Sequence, residues 1–282
     1  MQEYKVKDHV SSFLPEGKKW KLSWSDEFDG TELDRTKWDF RLHIMQKRHK
    51  TWQDDGVYLD GNSNLVFKIY EKDGVICSSQ LQTGANFTDA PRHEEDHGIK
   101  LHEDEDMVTK LVWPLGKLQE PKHLHLYGYY ECRCKMQKKP GWWTAFWLQS
   151  PIQGATLDPA FSGTEIDIME SFTPGKIGRH AVHYNGCGAD YKGLAAGDGV
   201  MVDVDEWHTF GLLWEKDKYT FYVDGKVDGV VTGPISQTPQ FILLSTEVNG
   251  YRDAERDATD EARAAVGDTF TVDYVRVFDE VE

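Results

Sequence analysis

The chain has 282 residues and a formal net charge of −16 at pH 7, with 39% hydrophobic and 12% aromatic residues. Contacts to phosphate need clustered Lys and Arg, so this charge speaks against nucleic acid and anionic membranes as partners and favours a neutral or weakly charged ligand. The sequence contains no apolar run that approaches the roughly 18 residues of a membrane span. The length alone fits either two ordinary domains or one large all-β domain.

The first 14 residues, MQEYKVKDHVSSFL, lack the apolar stretch of a signal peptide. This start indicates either a cytosolic protein or a mature chain whose leader has been replaced by a starting Met. We expect the four cysteines, Cys77, Cys132, Cys134 and Cys187, to be reduced and mostly buried. Cys132 and Cys134 lie two apart in a predicted strand, roughly 6 to 7 Å between Cα atoms, and their spacing does not match a CxxC zinc pattern.

Strand-like segments separated by turn residues recur along the chain, with almost no helical periodicity. The predicted strands cover residues 65–70, 128–135, 144–148, 165–169, 179–184, 207–214, 219–223, 241–246 and 270–278. Turn residues at 215–218 and 224–226 predict two hairpins. Because no linker or repeat interrupts this series, we predict one all-β domain over residues 1–282, folded as a sandwich of two antiparallel sheets.

Two segments do not read as strands. Residues 254–265 are rich in Ala and charge, and both a short surface helix and a solvated loop remain open there. Residues 89–106 are strongly acidic, which favours a solvated loop over a cation site.

The most informative stretch is GTEIDIME at residues 163–170, which places three carboxylates in one predicted strand. Regular alternation would put Glu165 and Asp167 on one face and Glu170 on the other. A β-bulge between Asp167 and Glu170, with Met169 or its neighbour as the extra residue, would return Glu170 to the face of its partners. We therefore predict a bulged row of three acids with apolar residues packed behind it.

Spacing alone leaves three interpretations of this row open. Retaining glycoside hydrolysis needs an ionised carboxylate as nucleophile and a protonated carboxyl, about 5 to 5.5 Å away, that gives its proton to the leaving oxygen. Three acids would also suit calcium, which prefers oxygen ligands. An exposed polar strand face is the third interpretation.

Further motifs follow in order along the chain. They are WSDEFDG at 24–30, LDRTKW at 33–38, YGYYECRCK at 127–135, GWWTAFWL at 141–148, EWHTF at 206–210, FYVDG at 221–225 and VDYVRV at 272–277. Together with EIDIME at 165–170, they resemble glycoside hydrolase family 16, which includes laminarinases, agarases, porphyranases and κ-carrageenases. EIDIME matches the bulged ExDxxE form of that family rather than the unbulged ExDxE of lichenases. The resemblance extends over a core at about residues 20–278.

The resemblance implies a concanavalin A-like jelly roll of two antiparallel sheets with a concave substrate cleft. It also implies a retaining endo-hydrolase of a β-linked polysaccharide, either a β-galactan of the agarose, porphyran or carrageenan type or a β-1,3-glucan. Glu165 takes the place of the nucleophile, Asp167 of the assisting acid and Glu170 of the acid/base. A transglycosylase would use the same chemistry, whereas a non-catalytic carbohydrate-binding sandwich would lose the acids. The enzyme is expected to be monomeric, to need no cofactor for catalysis, and to be secreted, periplasmic or at the cell surface.

The resemblance further implies substrate contacts from six side chains: Trp143, Trp147, His183, Trp52, Arg48 and Glu247. Trp143 and Trp147 share one face of their predicted strand, where an indole could pack on a pyranose ring or simply belong to the core.

Many members of the family carry a structural calcium, and the resemblance places Asp273, with Glu27 as its neighbour, at that site. Two features depart from the family pattern. Thr144 stands where the family has a Pro, and residues 88–126 form a long segment before the YGYYECRCK strand. That segment could wall one end of the cleft or be a solvated loop. It contains His93, His97, His102, Lys110 and Trp113.

Overall fold

The computed structural model describes residues 1–41, 51–84, 120–186, 190–250 and 257–282, together with two short strands at 87–88 and 116–117. Three expectations therefore lie outside the described residues. They concern the acidic loop at 89–106 with the five long-segment side chains named above, the side chain of Arg48, and the thiol of Cys187.

The described chain consists almost entirely of β-strands joined by turns. The strands are β1 (Gln2–Tyr4), β2 (Ser12–Leu14), β3 (Lys19–Asp26), β4 (Asp39–Phe40), β5 (Val57–Leu59), β6 (Leu65–Lys68), β7 (Tyr70–Lys72), β8 (Val75–Cys77), β9 (Gln80–Gln82), β10 (Phe87–Thr88), β11 (Gly116–Lys117), β12 (Gly128–Lys135), β13 (Trp142–Gln149), β14 (Glu165–Ser171), β15 (Lys176–Ile177), β16 (His180–Tyr184), β17 (Lys192–Ala196), β18 (Val200–Met201), β19 (His208–Trp214), β20 (Tyr219–Val223), β21 (Lys226–Val231), β22 (Phe241–Val248) and β23 (Thr269–Val281). The helices are α1 (Pro159–Ser162) and α2 (Asp260–Ala264).

Two large antiparallel sheets form the sandwich, as the strand pattern predicts. One has seven strands in the order β17-β16-β14-β13-β22-β9-β4. The other has eight, in the order β21-β20-β19-β12-β23-β6-β5, with β3 also paired to β23. The two hairpins predicted from turn residues are the β19–β20 and β20–β21 connections. The main hydrophobic cluster draws its buried side chains from both sheets.

Strand β13 shows how this core positions a site. Its eight residues are all buried, because one face meets the main core and the other is covered as well. Trp142, Phe146 and Leu148 belong to the main core, whereas Ala145 and Trp147 belong to a second, smaller cluster. Alternation along a strand therefore places every second side chain of β13 on the face of the seven-stranded sheet that points away from the core.

Strand β14 contains the predicted bulge. In its antiparallel pairing with β13, Asp167 lies opposite Trp147 and Met169 lies opposite Phe146, so that Ile168 is the extra residue. Ile168 and Met169 are both buried in the main core. The prediction of a bulge is confirmed, and it resolves the register conflict of the sequence because two consecutive side chains point inward before the alternation resumes.

Helix and loop were both open for residues 254–265, and within this segment residues 260–264 form the short helix α2. Its N-cap is Thr259, whose hydroxyl accepts a hydrogen bond from the N–H of Ala262 at 3.1 Å. Ala262 is buried in the main core. Gly141, just before β13, has a φ of +98°, and a Cβ there would lie 2.2 Å from the Ala262 nitrogen. The Gly141 carbonyl accepts from the N–H of Asn249 at 2.9 Å, and the Asn249 carbonyl accepts from the N–H of Thr259 at 3.2 Å.

Cys77, Cys132 and Cys134 are free and buried, which confirms the expectation for these three thiols. Neither of the two helices in the described ranges is long or apolar enough to cross a membrane.

Deleting Ile168 should give a folded protein of lower stability. The deletion leaves the last glutamate two residues beyond Asp167, so regular alternation keeps all three acids on one face, while the core loses one buried side chain at a cost of about 2–5 kcal/mol. Thermal denaturation measures this cost. Inserting one Ala between Met169 and Glu170 should be more damaging, because it turns the Glu170 carboxylate towards the core. Equal stability of the two variants would contradict the assignment of faces.

Candidate active site

The three acids of β14 lie on one side of the seven-stranded sheet, which we call the acid face. The ladder places Glu165 opposite Gln149 and Glu170 opposite Ala145, and both glutamates are half-buried. Asp167 lies between them and is 5% exposed. The residues that alternate with the acids point into the core, so the sequence fixes the direction of all three side chains through packing behind them.

His183 pairs directly with the central acid of this site. It lies opposite Glu165 in the pairing of β14 with β16, and its Nε2 is 3.0 Å from Oδ2 of Asp167. On the other side of the ring, Nδ1 is 2.7 Å from the hydroxyl of Tyr191, and the two rings stack at 5.6 Å. The structure therefore places His183 beside the acids, and its contact with substrate stays a prediction. Sequence reasoning missed Tyr191, which lies in the connection between β16 and β17.

The ionisation of His183 follows from these neighbours. Burial on its own lowers the pKa of the imidazole, but the hydrogen bond to Asp167 and the negative charges of Asp167, Glu165 and Glu170 outweigh burial and raise the pKa to about 9. At neutral pH both ring nitrogens then carry protons, so Nε2–H donates to Asp167 and Nδ1–H to Tyr191. The imidazolium offsets part of the repulsion among the three acids.

Gln149 holds Glu165 from the other side. It lies on β13 directly opposite Glu165, and its Nε2 donates to Oε2 of that carboxylate at 3.2 Å. Its Nε2 also lies 3.4 Å from Oε1 of Gln153, whose own amide donates to the carbonyl of His183 at 3.4 Å. Sequence reasoning missed both glutamines. Continuing the alternation from Trp147 by two residues would have placed Gln149 on the acid face.

Trp147 lies opposite Asp167 and is 9% exposed. Its indole N–H donates to Oγ of Ser245 at 2.9 Å, and the guanidinium of Arg41 lies 5.0 Å from its ring centroid. The same guanidinium lies 5.8 Å from the ring of Trp52, which is fully buried. Contact of either indole with a sugar stays a prediction, since the arrangement also provides substantial packing for both rings.

Trp143 and Glu247 lie opposite each other on β13 and β22. Trp143 contacts Phe172 at 5.3 Å between ring centroids, and Phe172 is half exposed at the end of β14. Glu247 accepts a hydrogen bond from Nε2 of Gln80 at 3.1 Å. The structure thus brings both predicted substrate residues to the acid face, and their contact with substrate stays a prediction.

The acids can be weighed as a metal site. In the described part of the chain, Glu165, Asp167 and His183 form a group whose potential ligand atoms lie within 4.8 Å of one another. A histidine binds metal only through a ring nitrogen with a free lone pair, and Nε2 of His183 already pairs with Oδ2 of Asp167 at 3.0 Å. Its Nε2–H is directed at Asp167. These contacts favour an acid–base centre over a metal centre.

The two carboxylates expected at a structural calcium are each paired with an arginine. Asp273 pairs with Arg133. Glu27 accepts two hydrogen bonds from Arg276, at 3.0 and 2.7 Å. A calcium ion here would have to replace both guanidinium groups, so these contacts do not fit a site built on this pair. Structural calcium remains a prediction.

The sequence matches the family model described as Glycosyl hydrolases family 16 over residues 45–276. This span contains the three acids together with His183 and Gln149.

Two curated relatives illustrate the range of similar proteins. The glucan endo-1,3-beta-glucosidase A1 of Niallia circulans is 27% identical over 286 residues, which cover 92% of this chain and 38% of that protein. The beta-porphyranase D of Zobellia galactanivorans is 29% identical over 200 residues, which cover 69% of this chain and 37% of that protein. The chain thus spans less than two fifths of the length of either relative.

A solved structure supports the same fold. The endo-beta-1,3-glucanase from Pyrococcus furiosus has a TM-score of 0.62 to this chain at 24% identity, covering 95% of this chain and 97% of the other. At this identity the likeness establishes the jelly-roll fold.

Substituting His183→Gln should remove a pH-dependent part of the stability. Folding raises the pKa of His183 from 6.5 to about 9, so the stabilisation is complete below about pH 6.5 and is lost as pH rises through about 9. The Tm difference between wild type and variant, measured across this range, should be largest at the acidic end and shrink at the alkaline end. Tyr191→Phe, which leaves the pair with Asp167 intact, is the control. A constant Tm difference would contradict the charged state of His183.

Proposed function

The chain belongs to glycosyl hydrolases family 16, and from this premise we propose that it is a retaining, endo-acting hydrolase of a β-linked polysaccharide, in a single catalytic domain over residues 1–282. The observation that carries the proposal is the bulged row of Glu165, Asp167 and Glu170 on one face, with a donor amide on one side and an imidazolium on the other. A carbohydrate-binding sandwich without catalysis has no use for three mutually repelling acids.

In the first step, the ionised Glu165 attacks the anomeric carbon and the bond from that carbon to the leaving oxygen breaks. Glu170 gives its proton to the leaving oxygen, and a glycosyl-enzyme forms on Glu165. In the second step, Glu170 takes a proton from water, whose oxygen attacks the anomeric carbon and releases Glu165. Two inversions give net retention. A sugar hydroxyl in place of water would give transglycosylation.

Asp167 and His183 tune this cycle through charge. With Glu170 protonated, Glu165, Asp167 and His183 together carry one net negative charge. A single negative charge close to the anomeric carbon stabilises the positive charge that develops in an oxocarbenium-like transition state. Without the imidazolium, the same face would hold a second uncompensated charge that opposes ionisation of the nucleophile.

Between the two expected substrate classes, we favour a β-1,3-glucan. The Niallia circulans relative is named as a glucan endo-1,3-beta-glucosidase. A neutral glucan also suits a chain of net charge −16, which repels sulfated polymers. The porphyranase relative, at 29% identity, supports a β-galactan as the second candidate.

We propose further that the enzyme acts as a monomer. We also propose that it is secreted, periplasmic or at the cell surface, because a polymeric glycan does not cross a membrane. Light scattering of the purified protein tests the first point, and fractionation of the source cells tests the second.

Glu165→Gln should lower kcat by several orders of magnitude with the fold intact, since the amide has no charge with which to attack the anomeric carbon. Reducing-end assays and thermal denaturation measure the two quantities. Glu206→Gln, which changes an exposed glutamate, is the matched control and should behave like wild type. Comparable turnover in both variants would refute the role of Glu165.

The enzyme can be incubated separately with laminarin, lichenan, agarose, porphyran and carrageenan. New reducing ends should form most rapidly from laminarin. Rapid loss of mean chain length would identify endo action, and proton NMR of the first product should show the β-anomer. An initial α-anomer would refute retention, and exclusive cleavage of porphyran or agarose would move the substrate to the β-galactans.

A further inference from the structure

Arg41 is a buried cation on the acid face that the mechanism above does not use. It follows β4 directly and is 5% exposed. Its backbone N–H donates to the carbonyl of Gln80 at 2.9 Å, and its guanidinium lies over the rings of Trp147 and Trp52. Backbone pairing and flanking indoles thus fix the guanidinium in place.

The guanidinium reaches the side-chain oxygens of two glutamines. Nη2 donates to Oε1 of Gln149 at 3.3 Å, and Nη1 donates to Oε1 of Gln80 at 3.4 Å. Guanidinium has donors and no acceptor, so each amide must turn its oxygen to Arg41 and its NH₂ group away. The NH₂ of Gln149 donates to Glu165 at 3.2 Å, and that of Gln80 donates to Glu247 at 3.1 Å.

Resting on the proposed function, we propose that Arg41 is a positioning residue that sets the orientation of two glutamine amides and, through them, holds the nucleophile Glu165 and the second carboxylate Glu247. A reversed amide would present NH₂ to the guanidinium and a carbonyl to the carboxylate, which is unfavourable at both ends. One cation therefore determines which way two uncharged side chains point.

The consequence for Glu165 concerns its ionisation and its rotamer. A nucleophile must be ionised and aimed at one carbon, and an N–H donor stabilises the ionised form. Among the described residues, the charged groups around Glu165 are Asp167 and Glu170 on its own strand, His183 on β16, and Arg41 beyond Gln149 on the β13 side. Gln149 therefore opposes the repulsion from the two neighbouring acids.

The consequence for Glu247 concerns binding. Glu247 lies opposite Trp143 on the acid face, one strand away from the acids. Held by Gln80, its carboxylate is oriented to accept hydrogen bonds from sugar hydroxyls beside the indole. Two branches of contacts thus start at Arg41. The branch through Gln149 to Glu165 acts on the chemical step, and the branch through Gln80 to Glu247 acts on substrate affinity.

Three variants test the two branches: Gln149→Leu, Gln80→Leu and Arg41→Met. Gln149→Leu should lower kcat about 10- to 100-fold, the scale of one hydrogen bond to a charged group, with KM little changed. It should also move the acidic limb of the pH–rate profile to higher pH, because the ionised nucleophile loses a donor. Gln80→Leu should raise KM with kcat retained. Arg41→Met should do both, and adding Gln149→Leu to it should lower kcat little further.

The matched control is Arg133→Met, which removes another guanidinium that lies over an indole, 4.8 Å from the ring of Trp207 on the eight-stranded sheet. It should leave kcat, KM and the pH profile as in wild type. If Arg41→Met and Gln149→Leu lower only the Tm and leave the pH profile and the kcat and KM values in place, Arg41 is structural and the proposal fails.

Carbon-13 NMR titration of the Glu165 carboxyl separates this proposal from the proposed function. If wild type cleaves none of the polysaccharides, the function fails, while the titration still tests Arg41. The midpoint should move to higher pH in both Gln149→Leu and Arg41→Met but not in Arg133→Met. Unchanged midpoints in the first two variants would overturn the positioning role whatever the activity.

Discussion

The pairing of β13 with β14 is the interaction on which the site depends. Trp142, Phe146 and Leu148 anchor one face of β13 in the core, and Ile168 and Met169 anchor β14 beside it. Once these side chains are buried, alternation along the strand directs the intervening side chains to the opposite face. Core packing therefore sets the direction of the three acids. The single extra residue in β14 places Glu170 on the same face as Glu165 and Asp167.

Electrostatics sets the second constraint. Three carboxylates on the same face of one strand repel one another, and three other side chains compensate for this repulsion. His183 comes from β16, the amide of Gln149 from β13, and Arg41 from the position that follows β4. His183 forms an ion pair with Asp167. The neutral amide of Gln149 joins Arg41 to Glu165, because its oxygen accepts from the guanidinium and its NH₂ donates to the carboxylate.

Features that depend on local periodicity can be predicted from the sequence. Alternation along GTEIDIME predicts the bulge, but it does not distinguish Ile168 from Met169 as the extra residue, because both are apolar and both face the core. His183 lies on the predicted strand that follows the acids in the sequence, and pairing of these two strands places it beside them. Arg41 could not be found in this way, since it lies 108 residues from Gln149 and nothing local marks their contact. The arginine partners of Asp273 and Glu27 are likewise long-range, and they weaken a calcium site that the resemblance favours.

The contacts around Gly141 have a consequence for how this scaffold can vary. Asn249 is hydrogen-bonded to Gly141 on one side and to Thr259 on the other, so positions 249 and 259 are held together beside the start of β13. The entropic cost of closing a loop grows only slowly with its length. A change in the length of the sequence between those two positions therefore costs little free energy, while the hydrogen bonds at Gly141 and Thr259 keep the start of β13 in place.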